Sequence, residues 1–94
     1  MTGETVLGLS IAGRVQGVGF RWWAVDRARE LGLRGWVRNR RDGTVEILAI
    51  GPENQVEAFA HACETGPSGA KIVSVDRAAA ADDGSVGFEQ GADA

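Results

Sequence analysis

The chain has 94 residues, a hydrophobic share of 44% and a formal net charge of −3. This length favours one small domain, and the hydrophobic content excludes a disordered chain. The single cysteine excludes an intramolecular disulfide, and the start of the chain lacks a signal peptide, so we expect a reducing, cytoplasmic setting. The longest apolar run is too short to span a membrane.

Hydrophobic periodicity predicts alternating strands and helices. Residues 1–4 are predicted to be a loose terminus, followed by the alternation of apolar and small residues that is typical of a half-buried strand. Asp42-Gly43 predicts a tight hairpin turn, and Gly51-Pro52 predicts the start of a helix with proline in its first position. In chain order, the predicted elements are a strand over 5–15, a helix over 21–31, strands over 35–40 and 44–50, the helix from 51, a strand over 70–79 and a short final strand over 86–90.

The order β-α-β-β-α-β is typical of the ferredoxin-like α+β sandwich, in which two helices cover one face of an antiparallel sheet. Right-handed crossovers place the third strand between the first and the second. The first and second strands then run parallel, and their C-terminal ends meet at one edge of the sheet, roughly 10 Å apart. We interpret residues 1–94 as a single domain of this fold.

A glycine-rich stretch, residues 13–21, joins the first strand to the first helix. Glycine permits positive φ and inward-facing amide groups, and such amides near a helix start bind anions. Arg21 adds a planar guanidinium that suits phosphate oxygens. The nucleotide-binding patterns G-K-S/T and G-x-G-x-x-G are absent, which disfavours nucleotides. These residues predict an anion site, with a simple connecting turn as the alternative.

Positive charge is concentrated in one segment. Residues 14–41 hold eight arginines and two carboxylates, a net of +6, whereas the rest of the chain holds two basic and eleven acidic residues. Such a distribution would attract a small anion toward the glycine loop. For most of these arginines, however, the simpler interpretation is a solvated position on a helix or strand face.

Three segments resemble the acylphosphatase family: V-Q-G-V-G-F-R at 15–21, G-L-R-G-W-V-R-N at 32–39 and D-G-T-V-E at 42–46. The similarity extends through Gly66-Pro67 and covers residues 7–75. The resemblance implies a hydrolase that cleaves the carboxyl–phosphate bond of acyl phosphates, giving a carboxylate and inorganic phosphate. No His, Cys and Asp cluster has metal-ligand spacing, and we expect neither a metal nor a cofactor. We also expect a cytoplasmic monomer whose partner is the small-molecule substrate, with no nucleic acid and no membrane.

The resemblance also implies roles for individual residues. Arg21 would hold the substrate phosphate, and Asn39 would orient the attacking water. Independently of the resemblance, the position of Thr44 after the hairpin turn makes it a candidate hydrogen-bond partner for Asn39. The loop backbone would supply the N–H groups that bind phosphate oxygens. These loop residues are Gln16, Gly17, Val18, Gly19 and Phe20.

Two other functions are compatible with the sequence. A non-catalytic anion- or RNA-binding module could share this topology, although the strand over 44–50 lacks the aromatic residues that stack bases in RNA-recognition domains. Acylphosphatase-like domains also occur in larger carbamoyl-transfer maturation enzymes, whereas the length of this chain favours a free-standing form.

We expect His61 at the surface and Cys63 in the core. The final strand departs from the family pattern, because it is short, contains Gly87 and follows the weak connector 78–83.

Overall fold

The computed structural model describes residues 3–94 and has seven elements. They are β1 (Glu4–Arg14), α1 (Phe20–Glu30), β2 (Arg34–Asn39), β3 (Val45–Pro52), α2 (Glu53–Cys63), β4 (Lys71–Ala79) and β5 (Phe88–Gln90). Of the predicted loose terminus, residues 1 and 2 lie outside the described residues, and Glu4 already belongs to β1. Pro52 ends β3 and precedes α2 with φ −58° and ψ 142°, so the first helical residue is Glu53, whereas the prediction placed Pro52 in that position.

The sheet order is β4-β1-β3-β2-β5. This confirms the ferredoxin-like prediction, including the position of β3 between β1 and β2. The β1–β3, β1–β4 and β2–β3 pairs are antiparallel. β5 runs parallel to β2, which makes the sheet mixed. Because β1 and β2 both run antiparallel to β3, their C-terminal ends lie at one edge of the sheet.

A single apolar core lies between the sheet and the two helices. Alternate residues of β1 and β3 face it, and the helices contribute residues at helical spacing. Its largest fully buried side chains include Phe20, Phe59 and Phe88. Phe59 and Phe88 pack edge to face with ring centroids 5.8 Å apart. Burying a phenylalanine contributes about 1.5–3 kcal/mol, which helps to hold the three-residue strand β5 against the core.

The sheet face that carries no helix is covered in part by the connecting segment 80–87. Arg34 donates hydrogen bonds to Asp82 and to the carbonyl of Ser85, both at 2.7 Å. Trp36 Nε1, on the same face, donates to Asp83 at 2.9 Å. Ile50 alternates away from the helices and is nevertheless fully buried. Most of the predicted weak connector, 78–83, therefore belongs to a segment that specific polar contacts fix across the sheet.

Candidate active site

The loop between β1 and α1 is concave because its φ angles alternate in sign. Gly17 and Gly19 have φ of 76° and 80°, in the left-handed region that glycine adopts without a steric cost. No non-glycine residue in the described chain has positive φ, so the intervening Val18 has a negative value. An alternation of this kind turns successive N–H groups toward one point and forms an anion-binding nest.

Within residues 3–94, the amides of this nest donate none of the hydrogen bonds that stabilise the loops and helix caps. Gly19 is the N-cap of α1, makes no side-chain cap, and accepts a hydrogen bond through its carbonyl from the amide of Trp23 at 3.0 Å. Among the described residues, no backbone or side-chain acceptor takes the amide hydrogens of residues 16–21. The positive end of the helix dipole points the same way. The loop thus has the donors and the partial charge that an oxyanion requires.

An open cavity of about 240 Å³ lies on this loop, and we call it the loop cavity. It is lined by Val15, Gly17, Gly19, Phe20, Arg21, Trp22 and Gln90. Val15 and Phe20 are only 2% and 1% exposed, so both ends of the loop are anchored in the core. The predicted residues Gly17, Gly19, Phe20 and Arg21 line this cavity, whereas Gln16, Val18 and Asn39 do not.

The side chain of Gln16 anchors the loop to the end of β2. Its Nε2 donates to the carbonyls of Arg40 and Thr44, at 2.9 and 3.0 Å. These two carbonyls flank the turn that follows Asn39. The family resemblance predicts a role for the backbone of Gln16 only, and its long amide side chain beside a glycine loop is the one signal in the sequence for this contact.

Asn39 is the last residue of β2, and its side chain has an unusual environment. Its Oδ1 is the one buried side-chain polar atom, within residues 3–94, that has no hydrogen-bond partner. Leaving a buried acceptor unpaired costs about 1–3 kcal/mol, so such an atom calls for a functional explanation. The predicted bond from Thr44 is wrong, because the Thr44 hydroxyl donates at 2.6 Å to Asp42, which lies closer along the turn. This contact lowers the pKa of Asp42.

Arg21 and Asn39 are joined by one short segment of the chain. Arg21 Nη1 lies 3.4 Å from Asp93 Oδ1, and the next residue, Ala94, donates its amide to the Asn39 carbonyl at 2.9 Å. Successive Cα atoms are about 3.8 Å apart. The two residues therefore lie at the same edge of the sheet, as the topology predicts. Nothing in the local sequence pattern indicates the contact with Asp93.

Most of the arginines in the basic segment are engaged in ion pairs. Within the part of the chain that the structure describes, six of the eight pair with carboxylates, namely Arg21, Arg27, Arg29, Arg34, Arg38 and Arg40. Arg40 and Arg38 both bond to Glu46 at 2.7 Å and lower the pKa of that carboxyl. Of the eight arginines, Arg21 alone lines the loop cavity. Attraction of an anion to this site consequently depends on Arg21 and the loop amides more than on a broad basic surface.

The remaining candidate residues occupy ordinary positions. The His61 side chain is 85% exposed and lies 3.4 Å from Glu64, which confirms it as a surface residue. Cys63 is fully buried, and burial raises the pKa of its thiol to about 12. Neither 11-residue helix of the described chain is long and apolar enough to cross a membrane.

The fold and the loop together define a class of protein, the small ferredoxin-like proteins that can hold an oxyanion between a glycine loop and a strand end. Sequence comparison identifies the family. The Acylphosphatase family model matches residues 7–90. An acylphosphatase of Rhodospirillum rubrum is 58% identical over 62 residues, which cover 66% of this chain and 68% of that relative. The chain belongs to the acylphosphatase family, and it is an enzyme that hydrolyses small acyl phosphates.

Solved structures are similar over nearly the whole chain. The crystal structure of an acylphosphatase from Bacillus subtilis has a TM-score of 0.87 and 38% identity, and the match covers 90% of this chain and 96% of that one. The full-length HypF structure in the phosphate- and nucleotide-bound form has a TM-score of 0.90 and 26% identity, covering 99% of this chain but 12% of HypF. The same fold therefore also occurs within a much longer protein.

Proposed function

We propose that Arg21 and the loop amides bind the phosphoryl group of an acyl phosphate, that Asn39 positions the attacking water, and that hydrolysis requires neither a metal nor a cofactor. The observation that carries this proposal is the nest formed by Gln16, Gly17, Val18, Gly19 and Phe20. No acceptor among residues 3–94 takes its amide hydrogens, it is anchored at both ends, and Arg21 follows it directly. An arrangement of this kind matches the equatorial oxygens of a phosphoryl group.

The chemistry of the substrate suits this set of residues. The water oxygen attacks phosphorus, the bond from phosphorus to the acyl oxygen breaks, and the proton of the water passes to a phosphoryl oxygen. A carboxylate leaves without being protonated, so the site needs no general acid. The neutral amide of Asn39 is not a base at pH 7, but it can form a hydrogen bond with the water and hold it in line. Catalysis then depends on positioning and on charge stabilisation.

We further propose that residues 1–94 act as one domain, as a monomer in the cytoplasm and without nucleic acid. Segment 80–87 lies across the helix-free sheet face, which is the face that RNA-recognition domains use for stacking bases. Pairing of six arginines with carboxylates also removes much of the positive surface that a nucleic acid would contact. The single, buried cysteine is compatible with a reducing compartment.

The test is hydrolysis of benzoyl phosphate by the purified chain, with and without a metal chelator. We expect steady release of inorganic phosphate at the same rate in both conditions. Absence of hydrolysis would overturn the catalytic proposal, and loss of activity only in the chelator would overturn its metal-free part. Retardation of single-stranded RNA in a gel at moderate salt would instead favour the alternative function, a non-catalytic RNA-binding module.

The Asp93 carboxylate contacts the Arg21 guanidinium, so it would compete with the substrate phosphate for that group. The Asp93→Asn variant is expected to lower the KM for benzoyl phosphate about two- to fivefold, with kcat unchanged, since exposed ion pairs of this kind are weak. Steady-state kinetics measure both constants. The matched control is Glu30→Gln, which makes the same charge change at a carboxylate paired with Arg27, away from the loop cavity. An unchanged or raised KM in Asp93→Asn would show that the contact does not compete with substrate.

A further inference from the structure

Trp22 is an exposed aromatic side chain at the edge of the loop cavity. It follows Arg21 in α1 and is 71% exposed. It also borders a second cavity of about 270 Å³, which we call the outer cavity. The outer cavity is lined by Trp22, Val25, Asp26, Arg29, Glu89 and Gln90. Trp22 and Gln90 are the two residues that line both cavities, so the cavities adjoin at these two residues.

Packing of the fold does not account for the position of this indole. The neighbouring Trp23 is half-buried and packs on Phe20 with ring centroids 5.3 Å apart, and the Arg27 guanidinium lies 5.9 Å from the Trp23 ring. Trp23 is among the residues packed against the core, whereas Trp22 is not. The exposed surface of Trp22 is thus available to a ligand.

The outer cavity has fixed walls. Arg29 Nε donates to the carbonyl of Phe88 at 3.1 Å, and its Nη2 donates to Glu89 at 3.2 Å. These bonds attach β5 to α1, and Gln90 is in turn paired with Val37 of β2. A group that enters between Trp22 and β5 would therefore meet a surface that is already formed, which lowers the ordering cost of binding.

An acyl group would lie close to this surface, because Trp22 lines the same cavity as Arg21 and the loop glycines that are proposed to hold the phosphoryl group. In an in-line displacement the leaving carboxylate departs on the side opposite the attacking water. Of the apolar side chains that line the loop cavity, Val15 and Phe20 are buried, and Trp22 presents exposed surface. An indole offers a flat face to flat apolar groups.

We infer that Trp22 is a specificity-determining residue whose indole contacts the acyl group, so that the enzyme prefers flat aromatic acyl phosphates over short aliphatic ones. This inference rests on the proposed function, because it takes the phosphoryl group to be held at the loop and Arg21. It adds a substrate class to that function.

The test compares benzoyl phosphate with acetyl phosphate. For the Trp22→Ala variant, we expect the ratio of kcat/KM for the two substrates to fall about fivefold, which corresponds to the loss of one aromatic contact. Inhibition by inorganic phosphate should be unchanged, because the phosphate contacts remain, and Trp22→Phe should restore most of the ratio. The control is Val73→Ala, which truncates another exposed apolar side chain (79% exposed) that borders neither cavity.

Different outcomes separate this inference from the proposed function. If an active Trp22→Ala variant keeps the ratio of kcat/KM for the two substrates, or loses kcat/KM equally with both, the inference about Trp22 is overturned. The proposed function is unaffected by either outcome. If Trp22→Ala does not fold, Trp22→Leu keeps apolar bulk without a flat face, and the same fall in the ratio is required of it. If the unmodified chain hydrolyses neither substrate, the proposed function fails, and the inference fails with it.

Discussion

The Arg21→Ala variant is expected to lose about 10²–10³-fold in kcat/KM for benzoyl phosphate, equivalent to about 3 kcal/mol of transition-state stabilisation. Arg21 is the arginine that lines the loop cavity, and its guanidinium can donate two parallel hydrogen bonds to phosphoryl oxygens. Because the same contact binds the ground state, the inhibition constant for inorganic phosphate should rise as well. Steady-state kinetics and phosphate inhibition measure the two effects.

Two controls separate the role of Arg21 from a general loss of charge. Arg21→Lys keeps the positive charge but loses the planar guanidinium that can donate two parallel hydrogen bonds. Its kcat/KM should therefore fall between that of the wild type and that of Arg21→Ala. Arg27→Ala removes an arginine two turns further along α1, where it pairs with Glu30 at 3.5 Å, and should leave activity within about twofold of wild type. Full activity in Arg21→Ala, with the fold verified by circular dichroism, would overturn the assignment of the phosphate site.

Much of the fold follows from local patterns in the sequence. Alternation along β3 places Val45, Ile47 and Ala49 on the core face, and the structure buries all three. The crossover rule then fixes β3 between its two neighbours, which brings the ends of β1 and β2 to one edge. The final strand is shorter than predicted, 88–90 in place of 86–90, because so short a segment carries almost no periodicity. Its position depends on Phe88, which packs against Phe59 far away in the sequence.

The polar contacts of the site were less predictable for a physical reason. Gln16 reaches carbonyls 24 and 28 residues away, and Asp93 reaches Arg21 across 72 residues. Such contacts join side chains through the tertiary fold and leave no periodic signal in the sequence. The pairing of arginines with carboxylates is equally non-local. The sequence therefore indicates which residue types are available, whereas the fold determines which arginine remains beside the loop.

Asn39 is a half-buried residue whose side-chain oxygen is fully buried and unpaired. In the described chain, neither amide atom of this side chain makes a hydrogen bond with another residue, and Oδ1 is buried. The backbone of Asn39 is by contrast fully integrated, through its pairing opposite Val45 and its bond from Ala94. A side chain that contributes no polar contact to the fold is retained at a cost in stability, which is the pattern expected where function sets the residue.

The Asn39→Ala variant is accordingly expected to lose about 10²-fold in kcat while its KM and its inhibition constant for inorganic phosphate change by less than about threefold. Water is held in line only during the chemical step, whereas phosphate binding depends on Arg21 and the loop. Removal of a buried, unpaired acceptor should leave the free energy of unfolding unchanged or raise it slightly, as urea denaturation would show.

Asn54→Ala, at an exposed position on α2, is the matched control and should change neither the kinetic constants nor the free energy of unfolding. A parallel loss of stability and activity in Asn39→Ala would indicate a structural role, whereas full kcat would remove Asn39 from the mechanism. Lost turnover in an equally stable or more stable protein is the result that only a water-positioning role explains.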